Sequence, residues 1–264
     1  MKTAKRLAVA ETCCTWSRSE KTRERCRHCN FIDTVCESPE EAVADADVVV
    51  ACVPVDRIVP LLSQVAGTVK KGALVTDVGS TKAAICKDAK TSLPRELRFV
   101  GSHPMAGIER NGIDEARDDL FENRLALVTP LPDTAPDIVD DAKSFWQSLG
   151  MRTHSLSPAE HDKIVAHVSH LPQAVAVALA GTLATQPLQW RDFGAGGMRD
   201  TTRIAAGTPE VWQAIFEENR KEVLPALDTY LKLFGELRDA LADNNSQKLA
   251  TILKLASDWR SKLK

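Results

Sequence analysis

Apolar and polar residues alternate in blocks along the first 155 positions, and these blocks predict strands and helices in turn. The most apolar block, 47–54 (DVVVACVP), is a nearly continuous run rich in β-branched residues, typical of a strand buried on both faces. Strands are also predicted at 12–16, 73–78, 98–101, 125–129 and 151–155, and helices at 20–29, 39–46, 56–66, 82–90 and 136–149. Strands alternating with helices of about ten residues indicate βαβ units and a parallel sheet covered on both faces.

The pattern changes at Ser157, after which no segment predicts a strand. Residues 157–160 (SPAE) combine an N-cap, a proline in the first turn and a capping-box glutamate, so they predict a helix that runs through His170. Pro172 has no N–H to donate to the carbonyl of Val168, so this helix is expected to kink or end there. Apolar residues recur at helical spacing at 224, 227, 231, 234 and 241. We therefore predict an α/β domain over 1–155 and an all-helical domain over 156–264.

The composition indicates a globular protein, with 44% hydrophobic and 27% charged residues in a chain of 264. The formal net charge of -2 offers no electrostatic attraction for nucleic acid or an anionic membrane surface. No apolar run approaches the roughly 20 residues that span a bilayer, so we expect a cytoplasmic protein. Its expected partners are a small-molecule substrate and a second copy of the chain.

The chain has seven cysteines, five of them within the first 36 residues. Cys26 and Cys29 have the spacing of half a zinc site, with Cys13 and Cys14 as candidate partners. A structural zinc site usually needs two well-spaced pairs, and the adjacent Cys13 and Cys14 do not form one. We therefore predict reduced thiols, some of them buried, and no metal.

Three stretches carry candidate chemistry. His103 lies between two glycines in VGSHPMAG (100–107), after a predicted strand, where open α/β sheets place their ligand-binding crevices. Ser80 follows a neighbouring strand, and Arg203 follows a glycine-rich loop in the helical domain. A histidine has the pKa closest to neutral and so suits a general base, although an exposed turn histidine would give the same pattern. Arg203 fits a carboxylate ligand or an ordinary surface cation.

Five segments together resemble the prephenate and arogenate dehydrogenases of tyrosine biosynthesis. They are DVVVACVPVD (47–56), VTDVGSTK (75–82), VGSHPMAG (100–107), HDKIVAHVSHLPQAVA (161–176) and RDTTRIAAGTPEVW (199–212). Taken in order, they cover nearly the whole chain. The resemblance implies a Rossmann-like nucleotide-binding domain followed by a helical substrate and dimerisation domain, and an NAD(P)-dependent oxidative decarboxylation of prephenate, arogenate or both.

The resemblance also implies roles for individual residues. His103 would accept the proton of the ring hydroxyl while hydride leaves the same carbon for the nicotinamide. Ser80 would orient His103 or the hydroxyl, and Arg203 would bind a substrate carboxylate. His170 would line the cleft, whereas His161 and His167 would only orient neighbouring groups; their spacing does not place a metal's ligands on one face.

The nucleotide-binding half departs from the family pattern. The first glycine is Gly67, so the chain contains no G-x-G-x-x-G turn before its second predicted strand, and residues 5–11 resemble only the end of the family's first helix. We expect weak nucleotide binding from this sequence, whether the cause is a start codon assigned too late or a real loss. Val53 and Pro54 are expected to line the nucleotide. Ser17 and Arg18 stand where an acidic residue usually binds the ribose, which favours NADP over NAD.

A second departure is Gln173, where many family members have a second histidine. A neutral amide offers no positive charge to the side-chain carboxylate of prephenate, so arogenate could be admitted as well. Two alternatives stay open: an inactive paralogue that serves as a dimeric module, and a β-hydroxyacid-type dehydrogenase, for which Lys163 would be the only nearby lysine.

Overall fold

A computed structural model describes residues 1–107 and 112–263. The main sheet has five strands in the order β3-β4-β5-β6-β7. Two further strands, β1 and β2, form a separate parallel pair in which Cys14 faces Thr34. The strands are β1 (Cys14–Thr15), β2 (Thr34–Val35), β3 (Val48–Ala51), β4 (Leu74–Asp77), β5 (Arg98–Pro104), β6 (Leu125–Thr129) and β7 (Arg152–Ser155).

Helices cover both faces of the main sheet, as its apolar strands predict. The helices before residue 157 are α1 (Lys2–Arg6), α2 (Glu20–Arg27), α3 (Pro39–Val43), α4 (Val55–Val65), α5 (Ala83–Ser92) and α6 (Pro136–Ser148). One core cluster packs Trp146 of α6 and Ala4 of α1 against Val100 and Val128. The other packs α4 and α5 against Val75 and includes Ile215 from the helical part of the chain. The two parts of the chain therefore share a core.

The predicted parallel sheet is present, but one pairing differs. Strands β3, β4 and β5 run parallel, as do β6 and β7, but β5 and β6 are antiparallel, with His103 opposite Leu127. Neighbouring parallel strands need a crossover, usually a helix. Between β5 and β6 the described residues contain only the single 3-10 turn Ile113–Glu115, so the chain returns beside β5 in the opposite direction.

Residues 157–263 contain helices and 3-10 turns but no strand in the described part of the chain. The α-helices are α7 (Pro158–Val165), α8 (Leu171–Ala184), α9 (Gly196–Thr202), α10 (Pro209–Glu218), α11 (Arg220–Ala242) and α12 (Ser246–Arg260). The predicted capping box is present at the start of α7, where Ser157 and Glu160 each bond the other's backbone.

Pro172 does not end the helix that begins at Pro158. Instead, Ala166–His170 forms a π-helical turn that joins α7 to α8, and Pro172 lies in the first turn of α8. A π-helical turn shifts the hydrogen-bonding pattern by one residue, which accommodates the missing N–H. The continuous run Pro158–Ala184 is long and apolar enough, by length and composition only, to cross a membrane. Core helices of globular proteins meet the same criterion, and this run carries buried residues of the site described next.

Candidate active site

His103 lies within β5, not in the loop that the sequence predicts, because β5 continues to Pro104 and pairs with β6. The side chain is buried, with 8% of its surface exposed, which rules out an ordinary exposed turn histidine. Two residues earlier on β5, Gly101 leaves room for the side chains of Thr129 and Cys86, since an added Cβ would lie 2.7 Å from Thr129 Oγ1 and 2.8 Å from Cys86 Sγ.

A chain of hydrogen bonds leads from His103 into the helical domain. His103 Nδ1 is 2.9 Å from His161 Nε2, and His161 Nδ1 is 2.8 Å from Asp162 Oδ1. The Asp162 carboxylate also accepts the backbone N–H groups of Lys82 (2.7 Å) and Ala83 (2.9 Å) at the start of α5. The Asp162 carboxylate therefore caps the N-terminus of α5, the end of a helix that attracts negative charge.

The direction of these hydrogen bonds determines which ring nitrogen of His103 is free to accept a proton. An ionised carboxylate only accepts hydrogen bonds, so His161 Nδ1 carries a proton. In neutral His161, Nε2 is then an acceptor and must receive the Nδ1–H of His103. The Nε2 of His103 is left as a bare acceptor, which is the state that a general base requires.

The electrostatic environment keeps His103 neutral. Burial lowers the pKa of His103 well below 6.5, and the charges of His161, Lys82 and His170 lower it further. The pKa of His161 is also lowered, because burial outweighs the opposing effect of Asp162. Neutral His103 is therefore available as a proton acceptor at physiological pH.

A buried ion pair holds the backbone next to His103, and sequence reasoning did not anticipate it. Lys82 and Asp77 are both fully buried and form a salt bridge. Asp77 Oδ1 accepts the N–H of Ser102 at 3.0 Å, and Lys82 Nζ donates to the Ser102 carbonyl at 3.0 Å. The β4–β5 ladder ends at the pair Thr76 and Val100. These two side chains thus replace the strand partner where β5 diverges from β4.

His170 and Gln173 lie beside this centre and are buried. His170 Nδ1 bonds Asn219 Nδ2 at 3.1 Å, and Trp212 contacts the His170 ring edge-on with centroids 6.0 Å apart. His170 Nε2 and Gln173 Nε2 are both buried nitrogens without a hydrogen-bond partner among the described residues. Two unpartnered nitrogens are unusual in a protein interior and fit a place where a ligand's oxygen atoms bind.

The remaining predicted residues are distributed as follows. Ser80 is half-buried between β4 and α5, and its backbone faces His170. The Nδ1 partner of His103 is His161, so the expectation that Ser80 orients His103 is not met in the described contacts. Arg203 is exposed at the start of the 3-10 turn Arg203–Ala206, which packs against α8. Lys163 is exposed, as is His167, which bonds the Lys163 carbonyl.

The predicted nucleotide-binding residues lie at the carboxyl ends of strands. Ser17 and Arg18 follow β1 and precede α2, and Arg18 is exposed with no salt bridge in the described contacts. Val53 and Pro54 follow β3, and Pro54 is the N-cap of α4.

The cysteines are free thiols, and Cys13, Cys26, Cys36 and Cys86 are buried. Within the described ranges, no group of three or more side chains is placed to hold a metal ion.

Three features define the class of protein. They are strand-end loops that suit a nucleotide, a buried neutral histidine, and a helical domain that completes the hydrogen bonds of that histidine. Together they are typical of two-domain nucleotide-dependent dehydrogenases. Comparison with known proteins identifies the family. The family profile "Prephenate dehydrogenase, nucleotide-binding domain" matches residues 2–155, and "Prephenate dehydrogenase, dimerization domain" matches residues 157–255.

Individual relatives support the same family. A cyclohexadienyl dehydrogenase from Zymomonas mobilis is 33% identical over 253 residues, covering 94% of this chain and 86% of the relative. The structure of Aquifex aeolicus prephenate dehydrogenase, in complex with hydroxyphenyl propionate and NAD+, has a TM-score of 0.90 at 27% identity and covers 100% of this chain and 93% of that one. Synechocystis arogenate dehydrogenase gives a TM-score of 0.79 at 28% identity, covering 99% and 95%.

The chain belongs to the prephenate dehydrogenase family. Its activity is the NAD(P)-dependent oxidative decarboxylation of a cyclohexadienyl acid in tyrosine biosynthesis. This confirms the fold class and the enzyme class that the five sequence segments imply.

Proposed function

We propose that His103 is the general base of this reaction, assisted by His161 and Asp162. The observation that carries the proposal is the hydrogen-bond chain from Asp162 through His161 to His103, which leaves His103 Nε2 free to accept a proton. The same chain anchors the base to the helical domain, because His161 and Asp162 lie on α7.

In the proposed reaction, the protein's side chains act on the ring hydroxyl and on the carboxylates of the substrate. His103 Nε2 accepts the hydroxyl proton as hydride leaves the same carbon; bound NAD(P)+ supplies the hydride acceptor. The bond between the ring and its carboxylate then breaks, its electron pair enters the ring, and carbon dioxide departs. The oxygen regains the proton from His103 as the ring becomes aromatic. Ser80 orients the substrate hydroxyl, while Arg203 and His170 bind substrate oxygens.

The nucleotide site fits NAD(P) in part. Val53 and Pro54 lie at the end of β3, at the start of α4, where a helix N-terminus favours phosphate. Ser17 and Arg18 occupy the corresponding end of β1 and would hold the adenosine ribose. Residues 1–66 include no glycine, so they do not provide a glycine-rich pyrophosphate cradle. The exposed Arg18, with no carboxylate partner in the described contacts, supports a preference for NADP, because a guanidinium binds a 2′-phosphate.

Replacement of His103 by Asn tests the catalytic assignment. A positioned general base contributes roughly 10²- to 10⁴-fold to a rate, so kcat of His103→Asn should fall by about that factor. The activity of the unaltered enzyme should stay level as the pH falls through 6.5, because the pKa of His103 lies well below that value. His154→Asn is the matched control, since His154 is exposed on β7. Nearly full activity of His103→Asn would refute the assignment.

Gln173 supports a broad substrate range. The amide is buried and has an unpartnered nitrogen, so it offers a neutral donor and no positive charge to the group that distinguishes prephenate from arogenate. We propose that this enzyme accepts both acids. Steady-state rates of the unaltered enzyme and of Gln173→His on each substrate test this: the variant should gain preference for prephenate, and an unchanged ratio of kcat/KM would oppose the proposal.

We also propose a homodimer formed through the helical domain, comprising residues 156–264. Leu224, Leu231, Phe234 and Leu241 of α11 are 53%, 60%, 56% and 59% exposed, although the sequence pattern marks them as a packing stripe. Ala174, Phe216 and Val223 line an adjacent groove of about 270 Å³ that is almost wholly apolar. An extended apolar surface on a helical domain is typical of an association site, and the matched dimerization-domain profile agrees with it.

A further inference from the structure

Asn219 joins two buried groups of the site by one amide nitrogen. It lies at the junction of α10 and α11 and is 2% exposed. Its Nδ2 donates to the backbone carbonyl of Asp162 at 2.9 Å and also lies 3.1 Å from His170 Nδ1. Both partners belong to the helical run that begins at α7, so one side chain from the α10–α11 junction connects them.

These two contacts determine the orientation of the amide. A carbonyl oxygen only accepts hydrogen bonds, so the Asn219 atom facing Asp162 must be the NH₂ group and not the amide oxygen. The second hydrogen of that NH₂ group then points to His170 Nδ1. Because the nitrogen of an amide cannot accept, His170 Nδ1 must be the acceptor, and the proton of the neutral imidazole is on Nε2.

The protonated Nε2 of His170 is the atom that lacks a partner. It is buried and makes no hydrogen bond of full geometry among the described residues, while the backbone of Ser80 is close enough to the ring to favour its protonated form. An unsatisfied buried N–H costs free energy, which a substrate oxygen would recover on binding.

We propose that Asn219 is a positioning residue that holds His170 as the neutral Nε2–H tautomer, so that His170 donates an uncharged hydrogen bond to an acceptor oxygen of the cyclohexadienyl substrate. The inference rests on the proposed function for the identity of the substrate. Asn219 itself acts only through His170.

The charged surroundings are consistent with a neutral ring. The groups that face His170 are Asp162, which favours its protonation, and His161 and His103, which disfavour it. Burial has the largest effect and lowers the pKa of His170 to about 4. His170 therefore stays neutral across the physiological range, and Asn219 is left to decide between its two tautomers.

The direct test is the ¹⁵N spectrum of histidine-labelled, unaltered enzyme at neutral pH, with the His170 resonances assigned through His170→Gln. Protonated and bare ring nitrogens have well-separated shifts. We expect a bare Nδ1 and a protonated Nε2, and the opposite pattern would overturn the proposal. This measurement needs neither turnover nor cofactor, so it can succeed or fail independently of the proposed reaction.

A double-mutant cycle tests the functional consequence. Asn219→Asp replaces the donor with an acceptor of the same shape, so His170 should become protonated on Nδ1 in place of Nε2. The value of kcat/KM should then fall about tenfold. In a His170→Gln background, whose amide has no tautomers, the same change should cost less than about twofold. Additive effects would refute a role exerted through His170.

Asn245→Asp is the matched control, because Asn245 caps α12 through Lys248 N and takes no part in the site. It should leave kcat/KM and the His170 spectrum unchanged. If Asn219→Asp does not fold, the spectrum of the unaltered enzyme still decides the question.

Discussion

Asp162→Asn gives the sharpest test of how the two domains cooperate in catalysis. The carboxylate of Asp162 accepts three hydrogen bonds, from His161 Nδ1 and from the backbone N–H groups of Lys82 and Ala83. An amide of the same shape has one acceptor oxygen and one donor nitrogen. In the carboxylate, Oδ1 accepts from both Lys82 and His161, whereas Oδ2 accepts only from Ala83. When the amide oxygen takes the Oδ2 position, the nitrogen takes the Oδ1 position and faces His161 Nδ1, which must then be bare.

The expected loss follows from the reversed hydrogen bonds. A bare His161 Nδ1 places the proton on Nε2, which then donates to His103 Nδ1 and leaves His103 with its own proton on Nε2. The base is thereby blocked. In Ser-His-Asp triads the same change of the carboxylate lowers kcat by about 10⁴-fold through the wrong tautomer. Here a second imidazole intervenes and can readjust, so we expect a loss of roughly 10- to 1,000-fold.

The assay is kcat measured across pH 5–9 with saturating substrate and cofactor, together with urea unfolding. Loss of charge-assisted bonds at the start of α5 should lower the free energy of unfolding by about 1–3 kcal/mol. Asp140→Asn, at an exposed position of α6, is the matched control. A folded Asp162→Asn enzyme with unchanged kcat at pH 7 would refute the predicted reversal of the His161 tautomer.

Three further outcomes follow from the geometry. Arg18→Glu should weaken binding of NADP by tenfold or more and leave NAD nearly unaffected, because a carboxylate repels the 2′-phosphate; equal losses in fluorescence titrations would contradict the assignment. Leu231→Asp should shift the mass measured by light scattering from dimer to monomer, and a monomeric unaltered protein would exclude the dimer. Burial lowers the folded-state pKa of His170 from 6.5 to about 4, so its stability contribution is complete above pH 6.5 and is lost as pH falls towards 4. Protonation of His170 in the unfolded state should lower the free energy of unfolding by up to about 3 kcal/mol between pH 7 and pH 4.5. The His170→Gln variant should lack this part of the pH dependence in urea unfolding.

Local patterns were sufficient for most elements of the α/β part. The run 47–54 predicts a strand, and β3 occupies Val48–Ala51 within it. The expected burial on both faces is only partly met, because β3 is at the edge of the main sheet and its three valines are half-buried. The capping box at Ser157 predicts the start of α7 correctly. Such features depend on neighbours within a few residues, so they can be recognised without knowledge of the fold.

The errors share a cause, since each depends on contacts between distant segments. The antiparallel pairing of β5 with β6 extends β5 through His103, and no local signal distinguishes this from a loop. The π-helical turn at Ala166–His170 replaces the expected kink, because the helix continues into buried contacts on both sides of it. Asp77 and Lys82 are charged residues in a motif, yet only the fold shows them buried together.

The sequence by itself determined the order of strands and helices, the change to a helical region at Ser157, and the set of residues that indicate a dehydrogenase, among them Ser80, His103 and Arg203. These follow from local propensity and from residue type at fixed spacing. Only the tertiary structure decided the protonation states. His161 and Asn219 orient the imidazoles of His103 and His170 through hydrogen bonds between residues 58 and 49 positions apart. The direction of such a bond depends on which atoms meet in space.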